Sequence, residues 1–189
     1  MRTDVLLLGG GGHAQVVADS AVAAGLQIVG FLDDAPDRLL KGFDTERLGS
    51  IAAPPSNLLD SPVHAATGDP TLREAWLKPF ANFVSIIHPT AILSPRAEIG
   101  RAVFIGPRAI VNATADVRLG AIINSGAIIE HDACVEAFAH VAPGAVICGG
   151  ATIGRNALVG AGAVVLPGVE IAAGATVPAG SVARANTLL

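Results

Sequence analysis

Little in this 189-residue chain suggests charged or sulfur-based chemistry. Only 15% of its residues are charged, the net charge is −4, and there is no basic run and a single Trp. The footprint of a nucleic-acid binder is therefore missing. Two cysteines, Cys134 and Cys148, are too few for a disulfide framework, so a reduced, cytoplasmic protein is expected. No GxSxG, P-loop or CxxC signature occurs. The five histidines (13, 64, 88, 131 and 140) are scattered without ligand spacing, so no metal site is expected. Of these, His64 and His88 read as structural. Hydrophobic residues make up 51% of the chain, yet no apolar run reaches the ~18 residues of a membrane span. At the start, MRTDVLLLGGGGH does not read as a secretory leader: Asp4 interrupts it and glycines follow the leucines at once.

What is abundant is periodic. From Ala91 to Asn186 the chain divides into sixteen hexapeptides without an insertion. The third position is Ile, Val or Leu in fifteen of them and the first is Ala in thirteen. Positions one and three lie two apart, so on a strand they point to the same side. One small and one branched aliphatic residue then fill a core, and the small residues common at position four are expected to permit a sharp corner. One hexapeptide makes one flat side and three make a triangular coil, giving about five stacked coils of a parallel β-helix. Each coil buries its apolar face only against its neighbours.

The residues in front read as a small α/β unit. Asp4–Leu8 is a buried strand, Gly9 to Gly12 a tight turn, His13 to Ala24 a helix and Ile28 to Leu32 a second strand ending at Asp33 and Asp34. The turn fits GxGxxA with Gly9, Gly11 and Ala14. Such a turn lets a phosphate approach backbone N–H groups at a helix N-terminus, and Asp33 stands where an acid holds ribose hydroxyls. Lys41 to Asp60 reads as loop with a short helix. Val63–Thr67 is a third strand, followed by Gly68 and a helix through Leu72, Ala75, Trp76 and Leu77. Asn82–Ile87 is a fourth. The division expected is 1–88 for a Rossmann-like half domain and 89–189 for the β-helix. Four strands are too few for a complete dinucleotide fold, which favours a mononucleotide or nucleotide-sugar.

Within the repeat, phase says which way a side chain points. His131 is fifth in its hexapeptide and His140 second in its own, both outward, so neither is a core histidine. Glu130 and Asp132 flank His131, and a carboxylate on Nδ1–H would make it a general base near neutral pH. The two histidines are nine apart, half a coil, and lie on different sides of the prism. If both serve one site they come from neighbouring subunits, and a three-sided prism fits a cyclic trimer.

The GGGGHAQVVAD turn, the strand ending FLDD, the HPTA junction and the run NSGAIIEHDACVEAFAHVAPGAVICGG together resemble the bacterial hexapeptide-repeat sugar O-/N-acetyltransferases. The resemblance runs from about Asp4 to Ala183. It implies a left-handed β-helix and a homotrimer with acetyl-CoA between subunits. It implies transfer of acetyl to the 4-amino group of a nucleotide-linked amino-dideoxysugar. At the matching positions, Gly11, Gly12, His13, Asp33, Asp34 and Gly68 would contact the nucleotide-sugar. His131 would be the general base with Asp132 tuning it, and His140, Gly149 and Ala161 would contact the coenzyme. Many such enzymes carry a further tail after the last coil, whereas this sequence ends at Ala183–Leu189, which bears on the grip on the coenzyme. Two other readings are an O-acetyltransferase of sialic acid or another glycan hydroxyl, and a non-catalytic trimeric scaffold with a nucleotide-sensing front. An NAD-dependent enzyme is disfavoured by the short front unit.

Overall fold

A computed structural model describes residues 3–184; Ala185 and Asn186 of the last hexapeptide, and the tail beyond, lie outside the described residues. The front unit begins with β1 (Asp4–Leu8), whose last four residues are buried, and α1 (Gly12–Ala23). Gly25, with φ of 80°, ends that helix. There follow β2 (Gln27–Leu32), β3 (Arg47–Gly49), β4 (Val63–Ala65) and α2 (Pro70–Leu77). The parallel sheet runs β3-β2-β1-β4.

Two expectations change here. The stretch from Lys41 to Asp60, expected as loop with a short helix, supplies the edge strand β3 as well as a single 3-10 turn at Ser56–Leu58. Leu48 fills the space left by Gly30 on β2, where an added Cβ would stand 2.2 Å from the leucine Cδ1. Asn82–Ile87 is not a strand of the front sheet. Phe83 makes one bridge to Val63, and Ile86–Ile87 then pairs with Phe104–Ile105 of the prism. The repeat thus starts one hexapeptide early, at Ser85. Its hydroxyl donates to the Gly100 carbonyl and accepts from the Val103 N–H, satisfying a polar group in the place of the usual Ala.

The prism has three parallel faces of six, six and five strands, five to six coils in all. Each residue sits over its equivalent eighteen positions earlier, as Ile122 over Phe104 and His140 over Ile122. Positions one and three form the core, with Ala109 to Val165 almost wholly buried at those places. The first face carries Ile86, Phe104, Ile122, His140, Leu158 and Thr176 outward; the second Ile92, Ile110, Ile128, Val146, Val164 and Val182; the third Glu98, Asp116, Cys134, Thr152 and Glu170. The front unit sits on the first face, where Ile86, Phe104 and Ile122 share a buried cluster with Val5, Leu7 and Val17.

The glycines at position four have a different cause from the one expected. The left-handed backbone conformation falls at position six, taken by glycines and also by Thr114, Asp132, Phe138 and Asn156 at φ of 58–61°. At position four, Gly100, Gly106, Gly154 and Gly160 have ordinary φ. A Cβ on any of them would stand 2.5–2.9 Å from backbone of the coil above. At these four places crowding between coils, and not a turn conformation, leaves no room for a side chain.

Because each coil is held only by its neighbours, one large cavity in the column weakens the whole stack. Ile123→Ala, at a fully buried position three, is expected to cost about 2–5 kcal/mol and to lower the thermal midpoint in a melting experiment.

Candidate functional site

Six of the residues singled out from the sequence, Gly11, Gly12, His13, Asp33, Asp34 and Gly68, line one cavity of about 400 Å³. It opens at the N-terminus of α1, where unpaired N–H groups and the helix dipole favour an anion. A Cβ on Gly11 or Gly12 would meet nothing within 4 Å, so this edge of the turn is open to a ligand. Gly9 has a packing role instead: φ is 104° and an added Cβ would stand 2.9 Å from the Trp76 ring. Ala14 is fully buried and lets α1 close onto the sheet.

The two aspartates differ. Asp33 Oδ2 accepts from the Gly10 N–H at 2.8 Å and Oδ1 from the Ala35 N–H at 2.9 Å, which ties the glycine turn to the end of β2. Arg38 lies 3.7 Å from the same carboxylate. Asp34 gathers three donors on Oδ1, from the Ser50 hydroxyl and the Ile51 and Ala52 N–H groups. These bonds, that from Ser50 foremost, hold its carboxyl below the usual range. Trp76, Arg38 and Thr67 also line the cavity and were not singled out from the sequence. The one signal available was that Thr67 directly precedes Gly68 at the strand end.

His13 lies at the cavity's inner end with its ring edge-on to Phe104, centroids 5.3 Å apart, and 6.2 Å from His140. Burial, then the neighbouring His140, His64 and Arg73, push its pKa down to about 3. His64 is fully buried, its Nδ1–H donates to the Val84 carbonyl, and burial lowers its pKa to about 4. His88 accepts the Thr90 N–H on Nδ1, a local turn contact.

His140 points outward from the prism, but the front unit covers it and it is only 9% exposed. The outward direction read from the phase holds, but phase sets only the side of the prism and not what lies over that side. Its Nδ1–H donates to the Gly68 carbonyl at 2.9 Å, which leaves Nε2 to accept from the Asn124 amide at 3.2 Å. Burial lowers its pKa to about 4, so the ring is neutral.

His131 stands at the corner between the second and third faces, across the prism from the face that carries the front unit. Its side chain is 66% exposed. Nδ1–H donates to Asp132 Oδ2 at 2.8 Å, and the Thr114 hydroxyl donates to Asp132 Oδ1 at 2.6 Å. The bond to Asp132 raises the His131 pKa above its ordinary value, and the Thr114 bond, followed by that from His131, lowers the Asp132 pKa. Neighbours on a strand face opposite ways, but Asp132 has φ of 60°, which turns its carboxylate back to the adjacent ring. Glu130 is engaged elsewhere, accepting from the Asn112 amide at 2.9 Å. Gly149 lies one coil on from His131, and a Cβ there would stand 2.8 Å from both Cε1 and Nε2 of the ring. His131, Asp132 and Gly149 therefore form one cluster. His140 and Ala161 do not join it within one chain, Ala161 being exposed at the corner between the first and second faces. Among the described residues no group of three or more His, Cys, Asp or Glu side chains is placed to hold a metal.

The three buried histidines make an acid-sensitive joint. Each has a folded pKa of about 3 to 4 against roughly 6.5 in the unfolded chain, so the unfolded chain binds more protons between those values. The contribution of these three histidines to stability is complete above about pH 6.5 and falls as pH drops towards 4. Thermal melts across that range should show the midpoint declining. Replacing His64 by Gln should flatten the decline.

Comparison with known proteins places both halves. The profile of the PglD N-terminal domain matches residues 4–80, and that of the bacterial transferase hexapeptide matches residues 150–185. No curated protein matches the sequence significantly. Among solved structures, the acetyltransferase domain of PglB from Neisseria gonorrhoeae is 30% identical over 97% of this chain and 92% of its own, with a TM-score of 0.87. A histidine-to-alanine mutant of GDP-perosamine N-acetyltransferase from Caulobacter crescentus, in complex with CoA and GDP-perosamine, is 32% identical over 96% and 88%, also at 0.87. The PglB domain in complex with acetyl coenzyme A matches with a TM-score of 0.84. Identity at this level along nearly the whole of both chains, with a shared left-handed β-helix behind a shared α/β unit, makes this chain a member of the hexapeptide-repeat sugar O-/N-acetyltransferase family.

Proposed function

We propose that this protein moves an acetyl group from acetyl-CoA to the 4-amino group of a nucleotide-linked amino-dideoxysugar, by direct transfer with His131 as general base. The observation that carries the reading is the Thr114–Asp132–His131 chain. It fixes the proton on Nδ1, raises the basicity of the ring and leaves Nε2 free at an exposed corner. A scaffold has no use for such a base. Two relatives carry the matching ligands: the perosamine enzyme binds CoA and GDP-perosamine, and the PglB domain binds acetyl coenzyme A.

In the proposed reaction the amine lone pair attacks the thioester carbonyl and a C–N bond forms. His131 Nε2 takes the proton from the cationic nitrogen. The tetrahedral intermediate collapses, the C–S bond breaks, and CoA leaves as thiolate. Holding the two substrates in line supplies up to ~7–11 kcal/mol of the barrier reduction. A cysteine nucleophile has no support here, since burial raises the pKa of both Cys134 and Cys148.

The geometry favours sites between subunits. The cavity belongs to the first face, whereas His131 stands at the opposite corner of the prism. The second face carries an aliphatic column through all six coils, with Ile92 63% exposed and Val182 44%, while the third face is mostly polar. Such a column is suited to cover by another copy, and a homotrimer would bring a neighbour's His131 to the sugar amine. In this arrangement residues 1–88 hold the nucleotide-sugar and 89–189 the coenzyme. Gly149, flat beside the base, and Ala161, on an exposed corner, would border the thioester and pantetheine. His140 would touch the coenzyme through the small part of its surface left uncovered.

A thiol-release assay with acetyl-CoA tests the reading. The panel is UDP-, GDP- and dTDP-linked 4-amino-4,6-dideoxyhexoses with free and CMP-linked sialic acid. Release with one amino sugar supports it; release with sialic acid alone moves the protein to O-acetylation. With the accepted sugar, His131→Ala should lower kcat by about 10²–10⁴-fold with the trimer intact. In Asp132→Asn the acidic limb of kcat/KM should move to lower pH, because the bond that raises the His131 pKa is weakened.

A further inference from the structure

Among the described residues Arg73 is the largest fully buried side chain, 1% exposed, although it lies on a short helix that reads as a surface element. Its guanidinium leaves α2 and crosses to the prism. Nε–H donates to the Gly120 carbonyl at 2.7 Å, Nη1 to Thr67 at 3.0 Å, and Nη2 to Phe138 and, at 3.3 Å, to Ala139. All these acceptors are backbone carbonyls, two of them at prism corners. Among the described residues no carboxylate pairs with it; Asp69 acts on it only at longer range. A buried cation held by neutral dipoles alone is costly, and one of its acceptors, the Thr67 carbonyl, belongs to a residue that lines the cavity together with Gly68.

The bond to Thr67 sets the next peptide. The Thr67 carbonyl points at the guanidinium, so across a trans peptide the Gly68 N–H is directed away from it. That N–H finds no acceptor among the described residues. The Gly68 carbonyl is held in turn by His140, which fixes the loop from both sides.

We infer that Arg73 is a positioning residue of the nucleotide-sugar site: through the Thr67 carbonyl it locks the Gly68 N–H towards a phosphate oxygen of the bound nucleotide, and its charge is the buried partner of that phosphate. This rests on the nucleotide-sugar reading of the cavity. Arg73 touches no substrate atom; it acts through one peptide, which a positive charge polarises.

The test uses the intact protein, with GDP, UDP and dTDP as probes in calorimetry and acetyl-CoA as the control ligand. Arg73→Met should weaken the nucleoside diphosphate that wild type binds by about tenfold or more, and acetyl-CoA by less than about twofold; Arg73→Lys should fall between. In the assay the same pattern appears as a raised KM for the nucleotide-sugar with little change in kcat. Hydrogen exchange at Gly68 and Asp69 in the unliganded protein should quicken in both variants relative to the rest of the molecule, and the Lys variant supplies this readout where Met at this place impairs folding. Unchanged diphosphate affinity in a folded variant, equal loss of both ligands, or unchanged exchange in the Lys variant would overturn the inference. Failure of wild type to bind any diphosphate would instead overturn the nucleotide-sugar reading on which it rests.

Discussion

Eighteen-residue stacking governs this molecule. Each coil places a residue directly over its equivalent in the coil before, with parallel ladder bonds between them. The core column is one consequence, since Ala and a branched aliphatic recur at the same two places. The site is another. Thr114 lies one coil before Asp132 and Gly149 one coil after His131, so the stack itself delivers the hydroxyl that orients the acid and the bare backbone that makes room for the imidazole. Supports for His131 need no long loops, because the ladder sets their distances.

Joining the front unit to the prism is a separate problem, solved with polar groups in an apolar setting. Three neutral histidines and one arginine meet around Phe104 and the Gly68 loop. At the outer edge of α2, Glu74 reaches Arg155 at 2.7 Å and the Asn156 amide at 3.1 Å, and Arg155 stacks over Phe138. Apolar packing alone would let the unit slide along a face that repeats every rung; directional bonds to particular carbonyls set one register.

The prism was legible in the sequence because its two core positions never lose phase. The cavity was legible because a glycine turn before a helix, an acid after the next strand and Gly68 at a third strand end all lie on one edge of a parallel sheet. What escaped was of three kinds. The strand Arg47–Gly49 is too short to show a pattern, and Ile86–Ile87 reads equally well as the end of a front strand or the first rung of the prism. The cover over His140 was invisible because phase gives direction without context. Arg73 was missed because an arginine on a short helix normally faces water, and only the folded molecule shows four carbonyls converging on it. The reason for the glycines at position four also needed coordinates, since crowding and turn conformation both select glycine.

In the proposed function one working site takes its pocket from one chain and its base from another. Mixed oligomers test it directly. His131→Ala removes the base, and Gly11→Asp puts a carboxylate where phosphate would sit, at an open position that tolerates a side chain. Each homo-oligomer should be inactive. After dissociation and reassembly of an equal mixture, about a quarter of sites should pair an intact pocket with an intact histidine across a subunit boundary, with activity recovering in proportion. No recovery from a mixture shown to have exchanged subunits would place pocket and base in the same chain and contradict the account.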